Sequence, residues 1–331
     1  MLSIKVRKKR AETLRKKLIK LGLLRTKDKI IRDETYVYLP LTDYAGQNIK
    51  SLSKLGGVLH KSAVEKRLRA AVPSIGYDLL GDIAVIDAKR KRLSQKEILV
   101  EGKRIISSNP RVSTVLSKAG PVSGKFRTRK FSYVCGKRSF IAHYKENGAF
   151  FEFDVRKVFF SSRLAYERAR ISSVVKKGEV VAVPFAGVGP FPIVIAKNAD
   201  PKTVVAIELN AVAFRYLLKN IKANKVMRIK PELGDFRKLA DDYKGIADRV
   251  IMQMPTKSTE FIEPMLKISK RSGKSHIYLF CDKDKIDDVK SEIRNNLLSY
   301  GYTTRFTFER VVRSYSKSEV EMVFDISFRK R

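Results

Sequence analysis

Residues 180 to 196 read Val-Val-Ala-Val-Pro-Phe-Ala-Gly-Val-Gly-Pro-Phe-Pro-Ile-Val-Ile-Ala, a string that few folds accommodate. An apolar run of strand length, two glycines one residue apart, a proline and an apolar run of helical length form the strand-turn-helix opening of a nucleotide-binding α/β unit. Gly187 and Gly189 can adopt positive φ and let backbone approach a ligand closely. Pro190 suits a first helical turn, where its missing N–H would be unpaired anyway. The next apolar run, Thr203 to Leu209, carries Glu208 about twenty residues on, where such units place the carboxylate that accepts both ribose hydroxyls. Pro192 stands where a dinucleotide fingerprint has its third glycine, which argues against NAD. A Gly-Pro turn that binds nothing would share the two glycines, so the rest of the chain has to decide.

Downstream the pattern alternates helix and strand, as a doubly wound sheet requires. An amphipathic stretch from Ala211 to Asn224 is followed by Arg228 to Leu233 with Gly234-Asp235 at its end, then by Ala247 to Pro255. Helices are expected near Ser258 to Ser269 and over Asp284 to Tyr300, with a strand at Ser275 to Phe280 between them. The chain closes on two strand-like runs, Thr303 to Val312 and Val320 to Phe328. A terminal antiparallel pair on a parallel sheet resembles the S-adenosylmethionine methyltransferase fold. In open α/β sheets the ligand lies beyond the carboxyl ends of the strands, which brings Phe185 to Pro190, Glu208, Asp235 and Gln253 to Thr256 to one place. There Asp235 would accept from an adenine amino group and Gln253 would face the reacting group.

The formal charge is +36, from 70 Lys and Arg against 34 Asp and Glu. That excess implies a polyanionic partner, with nucleic acid ahead of an anionic membrane surface. No apolar run reaches the roughly 18 residues of a spanning helix, and the N-terminus lacks a signal-peptide core, so a cytoplasmic protein is expected. Two cysteines, Cys135 and Cys281, make no disulfide framework, and His60, His143 and His276 have no ligand spacing, so no metal is expected. Residues 1 to 70 hold 19 Lys and Arg against 6 Asp and Glu. Within them Ala11 to Leu24 reads as a helix with one cationic face, interrupted by Gly22, and Thr35 to Leu41 reads as a strand. A Lys/Ser/Gly linker is expected near residues 50 to 58.

From Ala71 the pattern changes to short strands, Ile83 to Asp87, Val112 to Leu116, Lys130 to Cys135 and Phe150 to Val155, with a helix over Leu93 to Ser107. Gly124 to Lys130 places four cations and an aromatic in one short element, a candidate RNA-facing edge; a strand edge blunted against aggregation would look the same. Ser161 to Arg170 reads as a serine-capped helix with Arg163 and Glu167 four apart on one face. The resulting organisation is a basic module over 1–60, an α+β module over 61–160 and a Rossmann-like α/β domain over 161–331.

The stretches Lys145-Glu-Asn-Gly, Val155 to Arg170, Phe185-Ala-Gly-Val-Gly-Pro-Phe, Asp248-Arg-Val-Ile-Met and Arg313-Ser-Tyr resemble the archaeal tRNA guanosine N1-methyltransferases that modify position 37. The resemblance spans about residues 75 to 330. It implies S-adenosylmethionine as cofactor, tRNA as partner and a monomer, with the basic N-terminal module on the tRNA body. The pattern Val-Phe-Phe-Ser-x-Arg-x-x-x-Glu-Arg over residues 158 to 168 carries the family's proton acceptor onto Glu167 and its positioning Arg onto Arg163. Its second catalytic Arg falls on Arg127. The implied cofactor residues are Arg163, Phe185, Ala186, Gly187, Val188, Gly189, Glu208, Leu209, Asp235, Phe236 and Gln253. The implied substrate residues are Lys145, Asn147, Phe159, Pro255, Arg313 and Tyr315.

Three positions depart from the family pattern. Gln253-Met254-Pro255 replaces Asn-Leu-Pro, Val183-Pro184 replaces a sequence with an acid before Phe, and Ser162 replaces a proline. Val-Pro-Phe-Ala-Gly-Val followed by Pro-x-Pro is similar to the wyosine-associated branch, some of whose members also methylate carbon 7 of the tricyclic intermediate. Two other functions fit the sequence, an aminocarboxypropyl transferase using the same cofactor and a non-catalytic tRNA-binding protein.

Overall fold

Leu14 and Leu18 stand one helical turn apart, a spacing that turns both onto one face of a helix. In the computed structural model, which describes residues 2–26, 30–42, 58–61, 73–88, 92–256 and 258–331, the chain forms two units, 1–72 and 73–331. In the first, strands β1 (Leu2–Arg7), β2 (Ile31–Arg32), β3 (Tyr36–Pro40) and β4 (Val58–Lys61) form an antiparallel sheet in the order β2-β3-β1-β4. Helix α1 (Lys8–Lys20) buries Leu14 and Leu18 among Ile4, Val6, Val37 and Leu39. Each such fully buried aliphatic side chain contributes about 1.5–3 kcal/mol. The other face of α1 keeps Lys8, Lys9, Arg10, Lys16, Lys17 and Lys20 exposed. Gly22, at φ 64°, makes the turn that ends the helix. The expected linker lies, up to residue 57, outside the described residues.

The second unit opens with β5 (Tyr77–Leu80), β6 (Ile83–Ile86), helix α2 (Gln95–Ser108), β7 (Thr114–Ser123) and β8 (Thr128–Gly136). Ser94 starts α2 through a capping box with Glu97. The sheet order is β5-β6-β7-β8, and only the β6–β7 pair is parallel, joined by the α2 crossover. A hairpin follows, β9 (Ile141–Glu146) and β10 (Ala149–Asp154), turning on Asn147 and Gly148, both at positive φ.

This hairpin lies just before the boundary expected at residue 160. Its Ala142, Phe151 and Phe153 pack in one core with Val188, Ile193 and Val194 of the α/β domain and with Ile83, Val85 and Leu116 of the preceding sheet. Hydrogen bonds fasten it there. The backbone N–H groups of Phe150 and Glu152 donate to the side chains of Asn224 (2.8 Å) and Asn220 (2.9 Å). The helical spacing of those two asparagines therefore matches alternate residues of a strand.

The α/β domain comprises a 3₁₀ turn (Ser162–Leu164), α3 (Ala165–Val174), β11 (Val180–Pro184), α4 (Pro190–Asn198), β12 (Thr203–Glu208), α5 (Ala211–Asn224), β13 (Ile229–Leu233), α6 (Phe236–Asp242), β14 (Ala247–Met252), α7 (Ile262–Ile268), β15 (Ser269–Asp282), α8 (Ile286–Ser299), β16 (Tyr302–Ser314) and β17 (Glu319–Lys330). The sheet order is β13-β12-β11-β14-β15-β17-β16. Six strands run in one direction, and β17 is inserted antiparallel between β15 and β16. The expected terminal pair is present. It forms one edge of the sheet, with β16 outermost and β17 between it and β15.

Two local expectations differ. Ser161 makes no side-chain cap, and α3 begins only at Ala165 after the 3₁₀ turn. That delay separates Arg163 from Glu167: the first is half-exposed and bonded to Asp78 (2.8 Å), the second is 1% exposed and bonded elsewhere.

Candidate functional site: two adjoining cavities

A cavity of about 590 Å³ opens at the carboxyl ends of β11, β12, β13 and β14. The β11 turn shapes its first wall. Phe185 takes φ 62°, a conformation costly for a bulky residue, and Gly187 takes φ 59°. A Cβ on Gly187 would meet nothing, so this glycine faces open space, and its φ alone demands the residue. Gly189, the αL N-cap of α4 at φ 96°, faces the other way; a Cβ there would strike Leu217 and Ile193 at 2.6 and 2.8 Å. Ala186 and Val188 are fully buried in the core. Of the expected glycine loop, then, Phe185 and Gly187 line the cavity, whereas Ala186, Val188 and Gly189 are packing residues.

Glu208 closes the second wall. Its two oxygens each accept a backbone N–H, from Gly187 and from Asn210, both at 2.7 Å. A carboxylate has about four acceptor sites, so each oxygen keeps one for a vicinal diol. Burial pushes the Glu208 carboxyl up, outweighing the backbone donors of Asn210, Gly187 and Leu209. Asn210 caps α5 through Val212 N–H, and it is a wall residue that the sequence reading missed. Asp235 caps α6 and is forked by the Arg237 guanidinium, which holds its carboxyl below the usual range. Phe185 packs edge-on against Phe261 (4.8 Å) and Phe236 (5.9 Å), giving an apolar, aromatic end suited to a flat heterocycle. The amide of Gln253 donates to Phe185 O at 2.8 Å, tying β14 to the strained residue. Leu209, Asp235, Phe236, Gln253 and Pro255 all line this cavity.

A second cavity of about 290 Å³ adjoins the first, and Arg127, Phe159 and Arg313 border both. Arg127 sits at φ 51° in the tight turn between β7 and β8, its guanidinium 5.3 Å from the Phe159 ring. The wall is otherwise built by Lys118 and Arg129 of the β7–β8 ribbon, by Arg163 and Phe160 after the hairpin, and by Tyr315. Against the burial that would raise it, Arg163 and Lys118 hold the Asp78 carboxyl low. Arg163 therefore lines this second cavity and not the first, contrary to its expected place among the cofactor residues. Lys118 and Asp78 were missed because they come from separate strands and share no spacing in sequence, whereas Arg129 belongs to the Gly124 to Lys130 element read as a candidate RNA-facing edge.

Lys145 is exposed on β9 and borders neither cavity. Asn147 spends its amide on Ala165 O (2.9 Å), and its carbonyl accepts from Asn198 (3.0 Å), so it joins the hairpin to α3 and α4. The substrate role expected of these two is not carried by either cavity wall.

Glu167 lies beneath the walls, one turn beyond Arg163 and three residues beyond Leu164, which border the second and first cavities respectively. Its Oε2 accepts from Tyr278 Oη (2.9 Å) and Arg170 Nε (3.0 Å). Its Oε1 is a buried polar atom with no hydrogen-bond partner, 3.5 Å from the Arg310 guanidinium. Arg170 also binds Asp325 (2.6 Å), which accepts from His276 Nδ1 (2.7 Å), and His276 Nε2 takes a hydrogen bond from Arg249 (2.7 Å). Since arginine only donates, Nε2 is the acceptor and the imidazole proton is on Nδ1. Burial lowers the His276 pKa, in keeping with a neutral ring, while burial and the Glu167 charge push the Tyr278 hydroxyl well above its ordinary value. Among the described residues no group of three or more His, Cys, Asp and Glu is placed to hold a metal ion.

This sheet order, with a nucleotide-shaped cavity at its switch point, defines a Rossmann-like methyltransferase fold. The TRM5/TYW2 methyltransferase domain matches residues 142–298, the tRNA methyltransferase 5 N-terminal domain residues 3–47, and the TYW2 N-terminal domain residues 50–139. The tRNA (guanine(37)-N(1))-methyltransferase Trm5b of Pyrococcus abyssi is 32% identical over 98% of both chains. A tRNA(Phe) (4-demethylwyosine(37)-C(7)) aminocarboxypropyltransferase of Methanocaldococcus jannaschii is 35% identical over 62% of this chain and 78% of its own. The solved complex of aTrm5 with tRNALeu superposes with a TM-score of 0.70 at 31% identity, covering 99% of each chain. The chain belongs to the TRM5/TYW2 methyltransferase family.

Proposed function

We propose that the protein transfers a methyl group from S-adenosylmethionine to N1 of guanosine 37 in tRNA. The observation that carries this reading is the pair of adjoining cavities, one with the diol acceptor and aromatic end that an adenosine needs, the other cationic and open to a polyanion. Glu208 would hold the ribose, Asp235 the adenine amino group, and Phe185, Phe236 and Phe261 the adenine faces. When bound, the cofactor supplies a methyl on a cationic sulfur, a good electrophile.

The remaining work falls to this chain. Guanine N1 bears a proton and is a poor nucleophile, so a carboxylate must take that proton as the new N–C bond forms. Glu167 is the acceptor the family pattern assigns. Tyr278 and Arg170 fix one of its oxygens and leave the other without a hydrogen-bond partner, 3.5 Å from the Arg310 guanidinium, a carboxylate pre-oriented to accept through a single atom. Glu167 is buried and borders neither cavity, so the residues that cover it must shift for the base to reach it. Arg127 and Arg313, at the junction, are placed to stabilise the charge that develops on O6. The loop nucleotide must leave its stack to enter, and the Phe159 ring offers a surface for it.

The exposed cations of α1 would contact the tRNA body. On this reading the protein acts as a monomer in the cytoplasm, in keeping with a site built from one chain and with tRNA as its substrate. Aminocarboxypropyl transfer is the second reading, favoured by the relative that carries out that reaction. Mass analysis of nucleosides after incubation with unmodified and wyosine-precursor tRNA tests both. A 14 Da gain on guanosine is the expected product; an aminocarboxypropyl adduct, or no modification of either tRNA, would sink the proposal.

A further inference from the structure

The junction between the cavities presents an electrostatic difficulty. A methyl carried on a cationic sulfur must be delivered there, beside Arg127 and Arg313. Like charges a few ångströms apart in a partly buried site repel by several kcal/mol at an effective dielectric of about 20. Glu321 stands at this point. It is 1% exposed, borders the larger cavity only, and accepts a hydrogen bond from Arg313 Nε. The pair is cross-strand, Arg313 of β16 opposite Glu321 of β17, beside a register irregularity between Val311 and Arg313. Such irregularities re-aim side chains.

Two other acids of the larger cavity have separate duties. Glu208 is held by backbone donors, and Asp235 is neutralised by Arg237. Of these three, Glu321 is the one bound to a cation that borders both cavities.

We infer that Glu321 is a positioning and charge-screening residue: it cancels Arg313 on the cofactor side, so that the sulfonium is tolerated while the free guanidinium nitrogens serve the base. This rests on the cofactor assignment above. A plain cross-strand ion pair would stabilise the fold and treat every ligand alike. A screen must instead distinguish S-adenosylmethionine from S-adenosylhomocysteine, which differs by the methyl and the charge on sulfur.

Titration calorimetry with both ligands separates the two roles. Glu321→Gln is expected to weaken S-adenosylmethionine by about 10- to 100-fold relative to S-adenosylhomocysteine. Arg313→Met, which removes the cation and leaves the acid, is expected to shift the ratio the opposite way, and the double variant to return it towards wild type. If Glu321→Gln fails to fold, the Arg313→Met ratio carries the test by itself. An unchanged ratio in the folded variants, or equal losses for both ligands, overturns the inference. Wild-type protein that binds neither ligand would sink the cofactor assignment itself.

Discussion

The two cavities share a wall and differ in charge. Four cations and four acids line the larger one among the described residues, whereas five cations and one acid line the smaller. Their origins differ too. The larger is made by the ends of four parallel strands, so the doubly wound sheet places its residues whatever else the chain does. The smaller exists only because the β7–β8 ribbon and the β9–β10 hairpin pack against that sheet. The difference separates what the fold provides, a neutral nucleotide site, from what this architecture adds, a cationic vestibule for a polyanion.

The largest test bears on the carboxylate buried beneath them. Glu167→Gln keeps shape and removes the acceptor, so single-turnover methylation of guanosine should fall by about 10²–10⁴ while both ligands still bind. Because Glu167 also accepts from Tyr278 and Arg170, a melting curve must accompany the rate. A rate near wild type would confine Glu167 to the buried network. Glu208→Ala is the next largest, weakening S-adenosylmethionine by about 1–3 kcal/mol. The ribose is common to both ligands, so S-adenosylhomocysteine should lose the same amount; selective loss would mean that Glu208 acts on the sulfur and not the diol.

What the sequence disclosed follows the same division. Phe185, Gly187, Glu208, Asp235 and Gln253 were legible because each ends a strand or begins the turn after it, and strand ends meet. Gly189 was legible as a glycine but not for its reason, which is packing against Leu217 and Ile193. Glu321 left no sign. It sits between Glu319 and Asp325 in a strand run where an acid looks like a surface residue, and pairing with Arg313 makes its burial tolerable. The second cavity was legible in part, through Arg127, Arg163 and Phe159. Arg129 was legible within the cationic Gly124 to Lys130 element, whereas Lys118 depended on a ribbon whose packing partner lies far along the chain, a long-range contact that no local pattern encodes.

A smaller effect separates the cavities by salt. Replacing Lys118, Arg129 and Arg163 together by alanine should flatten the dependence of tRNA affinity on log salt by about 0.7 per lost phosphate contact, roughly two units in all. Affinity for S-adenosylmethionine should not move. An equal slope in the triple variant would mean that these cations balance Asp78 and nothing outside the protein.

The smallest effect is on pH, and here the cavities should respond with opposite sign. In the larger, burial raises the folded-state pKa of Glu208 above its ordinary 4.5. The folded protein then holds a proton that the unfolded chain has lost, so stability falls as pH rises through the window just above 4.5. In the smaller, Arg163 and Lys118 lower Asp78 below its ordinary 3.8. Its contribution is present above 3.8 and disappears as pH falls through the folded value. Wild type should therefore gain on Glu208→Gln in melting temperature as pH is brought down from neutral towards 4.5, and lose its advantage over Asp78→Asn only below 3.8. Screening by solvent keeps the Asp78 arm small, since its side chain is 38% exposed. Parallel pH curves for the two variants would mean that both carboxylates experience the same surroundings, and the contrast between a neutral cavity and a cationic one would not survive that result.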